Sequence, residues 1–413
     1  MRILSGRAAA ARVRKLAGRS SQFAKVETPV RQIIADVRGR GDRALRKYAE
    51  RWDGLRPEAS LPVSEEEMQA AWKSASPELK TSLRAAAANI RRFCEGRKPS
   101  AWTRTRGGIT VGQLVRPLDS VGCYVPGGRY PLVSTLLMTV IPAQVAGVGR
   151  ICVVSPQPRA EVLAAATMLG VREVYRIGGA QAIAALAYGT ENVPPVDKIV
   201  GPGNLYVTAP KKLVAFDCAI DFLAGPTEVV IVSDTGTPEF IAADLVAQAE
   251  HDPEALAVLI TTREDLSRQV KRAAERLSRR NAVAQQSLRR NGVLLVSSSR
   301  RESFEWANEL AAEHITVDAA DVALVRNAGS VFVGDYSPQA AGDYASGPNH
   351  VLPTGGVARF RGGLSVLDFV KLISIQKLTR PGLQRIARVV ESLADTEGLR
   401  AHAESIRMRC GHA

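Results

Sequence analysis

From Ser120 onward the chain alternates short runs rich in Val and Ile with Ala-rich stretches of helical period, and this alternation constrains the fold more than any other feature. Val121–Val125, Ile151–Val154, Glu173–Ile177, Lys198–Val200, Glu228–Ser233, Leu256–Ile260, Val293–Val296 and His314–Val317 are predicted strands. Between them Ala180–Tyr188, Pro238–Glu250 and Arg263–Arg280 are predicted helices. Strand, helix and strand in succession close into a mostly parallel sheet with right-handed crossovers. The units fall before and after the Gly225-Pro226 break, which predicts an α/β fold of two doubly wound lobes with a cleft between them. The expected divisions are an N-terminal arm (1–28), one lobe from 29–119 with 226–364, a second lobe from 120–225, and a C-terminal helical tail (365–413).

Upstream, Pro29 opens a helix in which Val30, Ile33, Ile34 and Val37 share a face, Gly39 and Gly41 break it, and Asp42 can cap the next. Leu45, Tyr48, Ala49 and Trp52 repeat the spacing. The first 26 residues hold no acid but carry Arg2, Arg7, Arg12, Arg14, Lys15, Arg19 and Lys25, the texture of a helical arm or of an organellar transit segment. With 46% hydrophobic and 23% charged residues the chain is globular, and no apolar run is long enough to span a bilayer. Five scattered cysteines without C-x-x-C argue against a disulfide framework or a thiolate zinc site, and for a reducing, cytoplasmic setting.

The net charge of +14 raises the question of a nucleic-acid or membrane partner. Residues 1–120 hold 25 basic and 12 acidic side chains, residues 121–260 hold 8 and 13, and residues 261–413 hold 22 and 16. The excess therefore lies on the N-terminal helices, off their apolar stripes. That distribution suits solubility and predicts neither partner.

Gly-rich turns follow several strands: Pro126-Gly127-Gly128, Gly178-Gly179 and Gly201-Pro202-Gly203-Asn204. Such turns let a backbone approach a phosphate at a helix N-terminus, but strand-to-helix turns need glycine anyway, and the G-x-G-x-x-G fingerprint is absent. Of the five histidines, His251, His314, His350 and His402 lie near a carboxylate or carboxamide at an element end, while His412 sits in the terminal residues. Imidazole with Asp or Gln oxygens suits a borderline divalent cation such as Zn²⁺, with Mn²⁺ or Co²⁺ as alternatives. Singly, each histidine also reads as a hydrogen-bonded structural residue.

Nine blocks, in order, resemble the histidinol dehydrogenase family over nearly the whole length. They are RGDRALRKYAERWDG (40–54), VGCYVPGG (121–128), GGAQAIAALAYGTE (178–191), DKIVGPGN (197–204), ID..AGPTEVVIV (220–232), DLVAQAEH (244–251), AAEHI (311–315), GSVFVGDYSPQAAGDYASGPNHVLPT (329–354) and EGLRAHAESIRMR (397–409). The resemblance implies oxidation of L-histidinol to L-histidine through the aldehyde with two NAD⁺, the last step of histidine biosynthesis. It implies two incomplete Rossmann-like lobes: NAD binding on 120–225, and catalysis on the lobe of 29–119 with 226–364. Glu313 and His314 become the acid–base pair. Gln248, His251, Asp343 and His402 become Zn²⁺ ligands, and Tyr124, Gln181 and Asn204 NAD contacts. Substrate contacts fall on Thr227, Gln248, His251, His314, Asp343, Glu397 and His402. A homodimer is implied, with Glu397 and His402 on a tail that reaches the partner's site; His350 receives no role. Thr227 stands where many relatives have Ser, and Asp252 where some have Gly.

The alternatives are a related dehydrogenase acting on another amino alcohol or a diol such as sulfopropanediol, a zinc hydrolase, and a nucleic-acid binder. The GDYASG block with Glu397 and His402 favours histidinol; the hydrolase lacks H-E-x-x-H. Cys123, beside Tyr124, is a rival nucleophile for the aldehyde step, against its reading as a buried strand residue.

Overall fold

The computed structural model describes residues 1–19, 23–127 and 131–411. Gly128 of the Pro126-Gly127-Gly128 turn and His412 lie outside the described residues. The chain begins with β1 (Arg2–Ser5) and α1 (Gly6–Ala17), then three helices, α2 (Glu27–Trp52), α3 (Glu65–Ser74) and α4 (Pro77–Arg97), and a hairpin, β2 (Trp102–Arg106) and β3 (Ile109–Pro117). The first wound unit runs β4 (Ser120–Tyr124), α5 (Val133–Ala146), β5 (Arg150–Val154), α6 (Ala160–Met168), β6 (Glu173–Tyr175), α7 (Gly179–Tyr188), β7 (Lys198–Val200), α8 (Leu205–Val214) and β8 (Ala219–Ile220). The second runs β9 (Glu228–Val232), α9 (Pro238–Ala249), β10 (Leu256–Thr261), α10 (Glu264–Leu277), α11 (Ala282–Arg290), β11 (Val293–Val296), α12 (Arg300–Leu310), β12 (His314–Val317), β13 (Ser330–Val333) and the short α13 (Gln339–Tyr344). β14 (Val370–Leu378), α14 (Arg380–Thr396) and α15 (Arg400–Cys410) end the chain.

All eight predicted strands form, and they build two parallel sheets, in the orders β6-β5-β4-β7-β8 and β1-β11-β10-β9-β12-β13. Strands covered on both faces read as near-continuous apolar runs: β9 and β10 are buried at every residue, with only Glu228 at the start of one and Thr261 at the end of the other polar. Strand order reverses between β4 and β7 in one sheet and between β9 and β12 in the other. Such switch points open a crevice at the carboxyl ends of the strands. The first sheet places its Gly-rich turns there. The second places Thr227, Glu313 and His314 at the amino ends of β9 and β12, the opposite side from that rule. No helix among the described residues is long and apolar enough to cross a membrane.

Several expectations need correction. The arm is helical over Gly6–Ala17, with Ala9, Val13 and Leu16 in the core of the six-stranded sheet, but it starts as a strand paired with β11. The tail is not helical from its start: β14 pairs along its whole length with β3, whose other edge takes β2. Both pairings join segments more than two hundred residues apart, which local periodicity does not register. The helices expected with the lobe of 226–364 pack on the five-stranded sheet instead. Val30, Ile33 and Leu45 of α2 join the core of α7, and α3 and α4 pack with α5 and α6. The cause lies in α5 and α7, which are apolar nearly all round and need a second covering layer. The break in α2 falls at Gly41, φ +52°, as expected. Asp42 does not cap, however: Glu191 accepts from the Asp42 N–H at 2.7 Å, and the Asp42 carboxylate receives Asn192.

Candidate active site

Tyr124, Gln181 and Asn204 line a single cavity of about 520 Å³ together with Trp52, Gly127, Gly179 and Gly203. Tyr124 ends β4, and its hydroxyl accepts from the Gly179 N–H at 3.0 Å. Gln181 lies in the first turn of α7 and donates to Asp53 Oδ2 at 2.9 Å; the same oxygen accepts from the Gly178 N–H at 2.9 Å. Burial lifts the Asp53 carboxyl to about 6 against the pull of those two bonds. Asn204 caps α8, its Oδ1 accepting from the Tyr206 N–H at 2.9 Å.

The turn before Asn204 is locked. Gly201 has φ +116°, and a Cβ there would lie 2.2 Å from the Tyr124 carbonyl oxygen, so only glycine fits. Asp221 accepts from the Gly201 N–H at 2.8 Å, and Lys211 donates to the Gly201 carbonyl at 2.9 Å and to Asp221; both side chains are buried. Two buried carboxylates, Asp53 and Asp221, thus hold the glycine turns that a fingerprint loop would otherwise shape. Neither was found from sequence. Asp53 lies in the block 40–54, but nothing local marks it as buried.

The second cluster joins β9, β12 and the segment after β13. Glu313 is buried, and its Oε2 accepts from Thr227 Oγ1 at 2.5 Å and from the Glu228 N–H at 2.8 Å. Gln248, buried in the last turn of α9, donates to the same Thr227 hydroxyl. The His314 Nδ1–H donates to the Glu228 carbonyl at 3.2 Å. That bond fixes the tautomer and leaves Nε2 facing Asp343 Oδ1 at 3.6 Å. Burial raises the Glu313 carboxyl to about 7. On His314 burial opposes the charge, but Glu313, Asp343 and the Glu228 carbonyl outweigh it and lift the imidazole to about 8. Asp343 is held below its ordinary value: burial opposes this, and the bond to His314 and the fields of His314, His350 and His251 overcome it. His314 and Asp343 line a cavity of about 320 Å³ with Phe332, Ser346, Asn349 and His350.

His251, exposed just past α9, donates from Nδ1 to the Ala247 carbonyl at 2.9 Å, which leaves Nε2 open. Asp252 accepts from the Glu254 N–H at 2.7 Å, the bond of an exposed turn residue. His350 donates from Nδ1 to the Asp343 carbonyl at 2.7 Å, with Nε2 3.5 Å from Thr135 Oγ1 of α5, so it links the two lobes. Burial lowers its pKa against the opposing pull of Asp343. Glu397 and His402 are not brought to this cluster; both are exposed, at the start of the turn after α14 and on α15. Among the described residues no three His, Cys, Asp or Glu side chains converge closely enough to hold a metal ion. Cys123 is fully buried on β4 and burial pushes its thiol well up, which disfavours the nucleophilic thiolate.

Only two non-glycine residues among those described have positive φ: Gln157 (47°), on the wall of the larger cavity, and Ala311 (46°), which ends α12 two residues before Glu313. Left-handed backbone costs a non-glycine residue roughly 1–2 kcal/mol. Both residues sit beside the two clusters just described.

Comparison with known proteins bears on the family and the fold. The chain matches the histidinol dehydrogenase family over residues 16–410. It is 49% identical over 395 residues to histidinol dehydrogenase of Methanothermobacter thermautotrophicus, covering 92% of each chain. It is 48% identical over 395 residues to that of Geobacillus kaustophilus, covering 92% of this chain and 93% of the relative. The crystal structure of histidinol dehydrogenase from Elizabethkingia anophelis superposes with a TM-score of 0.94 at 36% identity, over 99% of this chain and 98% of that one. On sequence and fold together, over nearly its full length, this chain belongs to the histidinol dehydrogenase family.

Proposed function

We propose that the chain oxidises L-histidinol to L-histidine through the aldehyde, using two NAD⁺. The observation that carries this is the Glu313–His314 pair: a buried acid beside an imidazole whose Nδ1 is engaged and which itself lines a cavity. In the alcohol step His314 Nε2 takes the hydroxyl proton. In the aldehyde step Glu313, aimed by Thr227 and the Glu228 N–H, takes a proton from the water that hydrates the carbonyl. With values near 7 and 8 the two groups exchange protons at small cost around neutral pH. Buried Cys123 takes no part.

Tyr124, Gln181 and Asn204 would hold the dinucleotide at the N-termini of α7 and α8, where the helix dipole favours phosphate. The donor chemistry fits Zn²⁺ in part: Gln248, the open Nε2 of His251 and Asp343 supply nitrogen and oxygen donors from one chain, and no thiolate is near. His402 would complete the set from a second copy. Its exposed position, and a tail whose Leu372, Ile373, Val389, Leu393 and Met408 face outward, support a homodimer with shared sites. When bound, NAD⁺ would supply the hydride acceptor, and Zn²⁺ on Gln248, His251, Asp343 and a second copy's His402 would supply a Lewis acid that anchors the imidazole and amino groups of the substrate. Those two substrate groups and Glu397 are what separate histidinol from a diol.

The test is NADH formation with L-histidinol before and after chelation, alongside 2,3-dihydroxypropane-1-sulfonate. Two NADH per histidinol, lost with chelator and restored by Zn²⁺, is expected. NADH from the diol alone would overturn the assignment. Mixing inactive Glu313→Gln and His402→Ala proteins should restore part of the activity if sites are shared between copies.

A further inference from the structure

We infer that Arg19, at the end of the N-terminal arm, is a positioning residue for the Glu313–His314 pair and acts through Glu228. The inference rests on the catalytic role proposed above for that pair. Arg19 Nε and Nη2 each lie 2.6 Å from one oxygen of the Glu228 carboxylate, a two-pronged contact. The guanidinium also donates to the Leu16 carbonyl at 2.5 Å and the Leu310 carbonyl at 3.2 Å, so it closes the ends of α1 and α12. The Glu228 side chain is only 4% exposed, and the Gly355 N–H is its one further donor among the described residues, at 2.9 Å. Arg19 is thus the positive charge that pairs with this buried carboxylate.

The main chain of Glu228 does the orienting. Its N–H aims the Glu313 carboxyl and its carbonyl fixes the His314 ring, while Thr227 before it binds the same Glu313 oxygen. Glu228 is the first residue of β9, and the chain turns away upstream at Gly225-Pro226. Its side chain is therefore what ties this strand start to the arm, to α12 and to the Gly355 turn. Without Arg19 the buried carboxylate keeps only the Gly355 N–H and must recruit water or swing outward, and either change moves the peptide that both reacting side chains hang from. Misplacement of a reacting group by about 1 Å costs on the order of a hundredfold in rate. The dinucleotide cavity lies on the other sheet, so cofactor binding is spared.

Arg19→Ala is expected to lower kcat 10- to 100-fold with the KM for NAD⁺ within twofold of wild type. Arg19→Lys, which keeps the charge but loses the two-pronged contact, should fall between them, and millimolar guanidinium should restore part of the Arg19→Ala loss. A second readout needs no turnover. With only five histidines, ¹⁵N-histidine spectra resolve the ring tautomers. Recorded at about pH 9.5, where the ring is neutral, the Nδ1-protonated His314 signal should be present in wild type and mixed or lost in Arg19→Ala. If Arg19→Ala does not fold, the Arg19→Lys kinetics and spectra carry the test. An unchanged kcat, a loss shared by kcat and KM for NAD⁺ without rescue, or an unaltered His314 signal overturns the positioning role. Inactive wild type whose His314 signal still depends on Arg19 would uphold it and overturn the catalytic reading alone.

Discussion

Asp53 offers a prediction whose size follows from the structure. Its Oδ2 alone accepts both the Gly178 N–H and Gln181 Nε2, and it is 6% exposed on the wall shared by the cavity of Tyr124, Gln181 and Asn204 and a neighbouring cleft. Asp53→Asn can place its amide oxygen at the same point, keep both bonds, and turn its N–H₂ toward the cavities. What changes is charge. Burial raises the carboxyl from 3.8 to about 6, so the folded chain holds this proton more tightly than the unfolded chain does. The associated stability is fully present below the unfolded value and is lost as pH rises to about 6. A shift of about two units corresponds to roughly 3 kcal/mol. Asn pays no such cost, so the variant is expected to match wild type near pH 4 and to exceed it by up to about 3 kcal/mol above pH 6.5. Urea unfolding of both proteins at pH 4.5, 5.5, 6.5 and 7.5, followed by tryptophan fluorescence, measures the difference, while the KM for NAD⁺ stays within twofold. A difference that does not grow with pH, or a variant less stable at pH 7.5, would refute the reasoning.

Three further outcomes are expected. Thr227→Val keeps the shape but leaves Glu313 and Gln248 without their shared hydroxyl; kcat should fall roughly 10- to 1000-fold, the cost of about 1.5–4 kcal/mol for a lost bond to a buried charged group. Because the Thr227 bond lowers the Glu313 pKa, its loss raises that pKa, and the acid limb of kcat against pH should move to higher pH. Gly201→Ala drives a Cβ to 2.2 Å from the Tyr124 carbonyl at φ +116°, and should abolish NAD⁺ binding, read by calorimetry, or prevent folding. Cys123→Ala should leave turnover within twofold and cost about 1 kcal/mol in urea unfolding for the small void in the core; a hundredfold loss of aldehyde oxidation would restore the thiol to the mechanism.

The parallel sheets were legible because a doubly covered strand is apolar along nearly its whole length: Val229–Val232 and Leu256–Ile260 could be read without a partner in view. Tyr124, Gln181, Asn204, Glu313 and His314 were singled out through the family blocks that contain them; the glycine turns alone did not mark the first three. The supports behind them were not. Asp53 looks like a surface acid after Trp52, and Glu228 looks like the first residue of a core strand. Arg19 is one of seven bases in an acid-free arm. Burial by a distant segment is what turns each into a positioned group, and no local period encodes that.

Charge shows the same division. The +14 of the sequence, concentrated in residues 1–120, pointed to solvated helix faces, and most of those side chains do lie on the surface. One of them is folded 209 residues away onto Glu228. Sequence alone determined the two wound sheets and most of the chemical groups, because hydrophobic period and glycine turns are local properties. Tertiary structure decided which groups meet, which tautomer His314 adopts and how far Asp53 and Glu313 are shifted, because desolvation and hydrogen-bond partners depend on what packs against a residue from far along the chain.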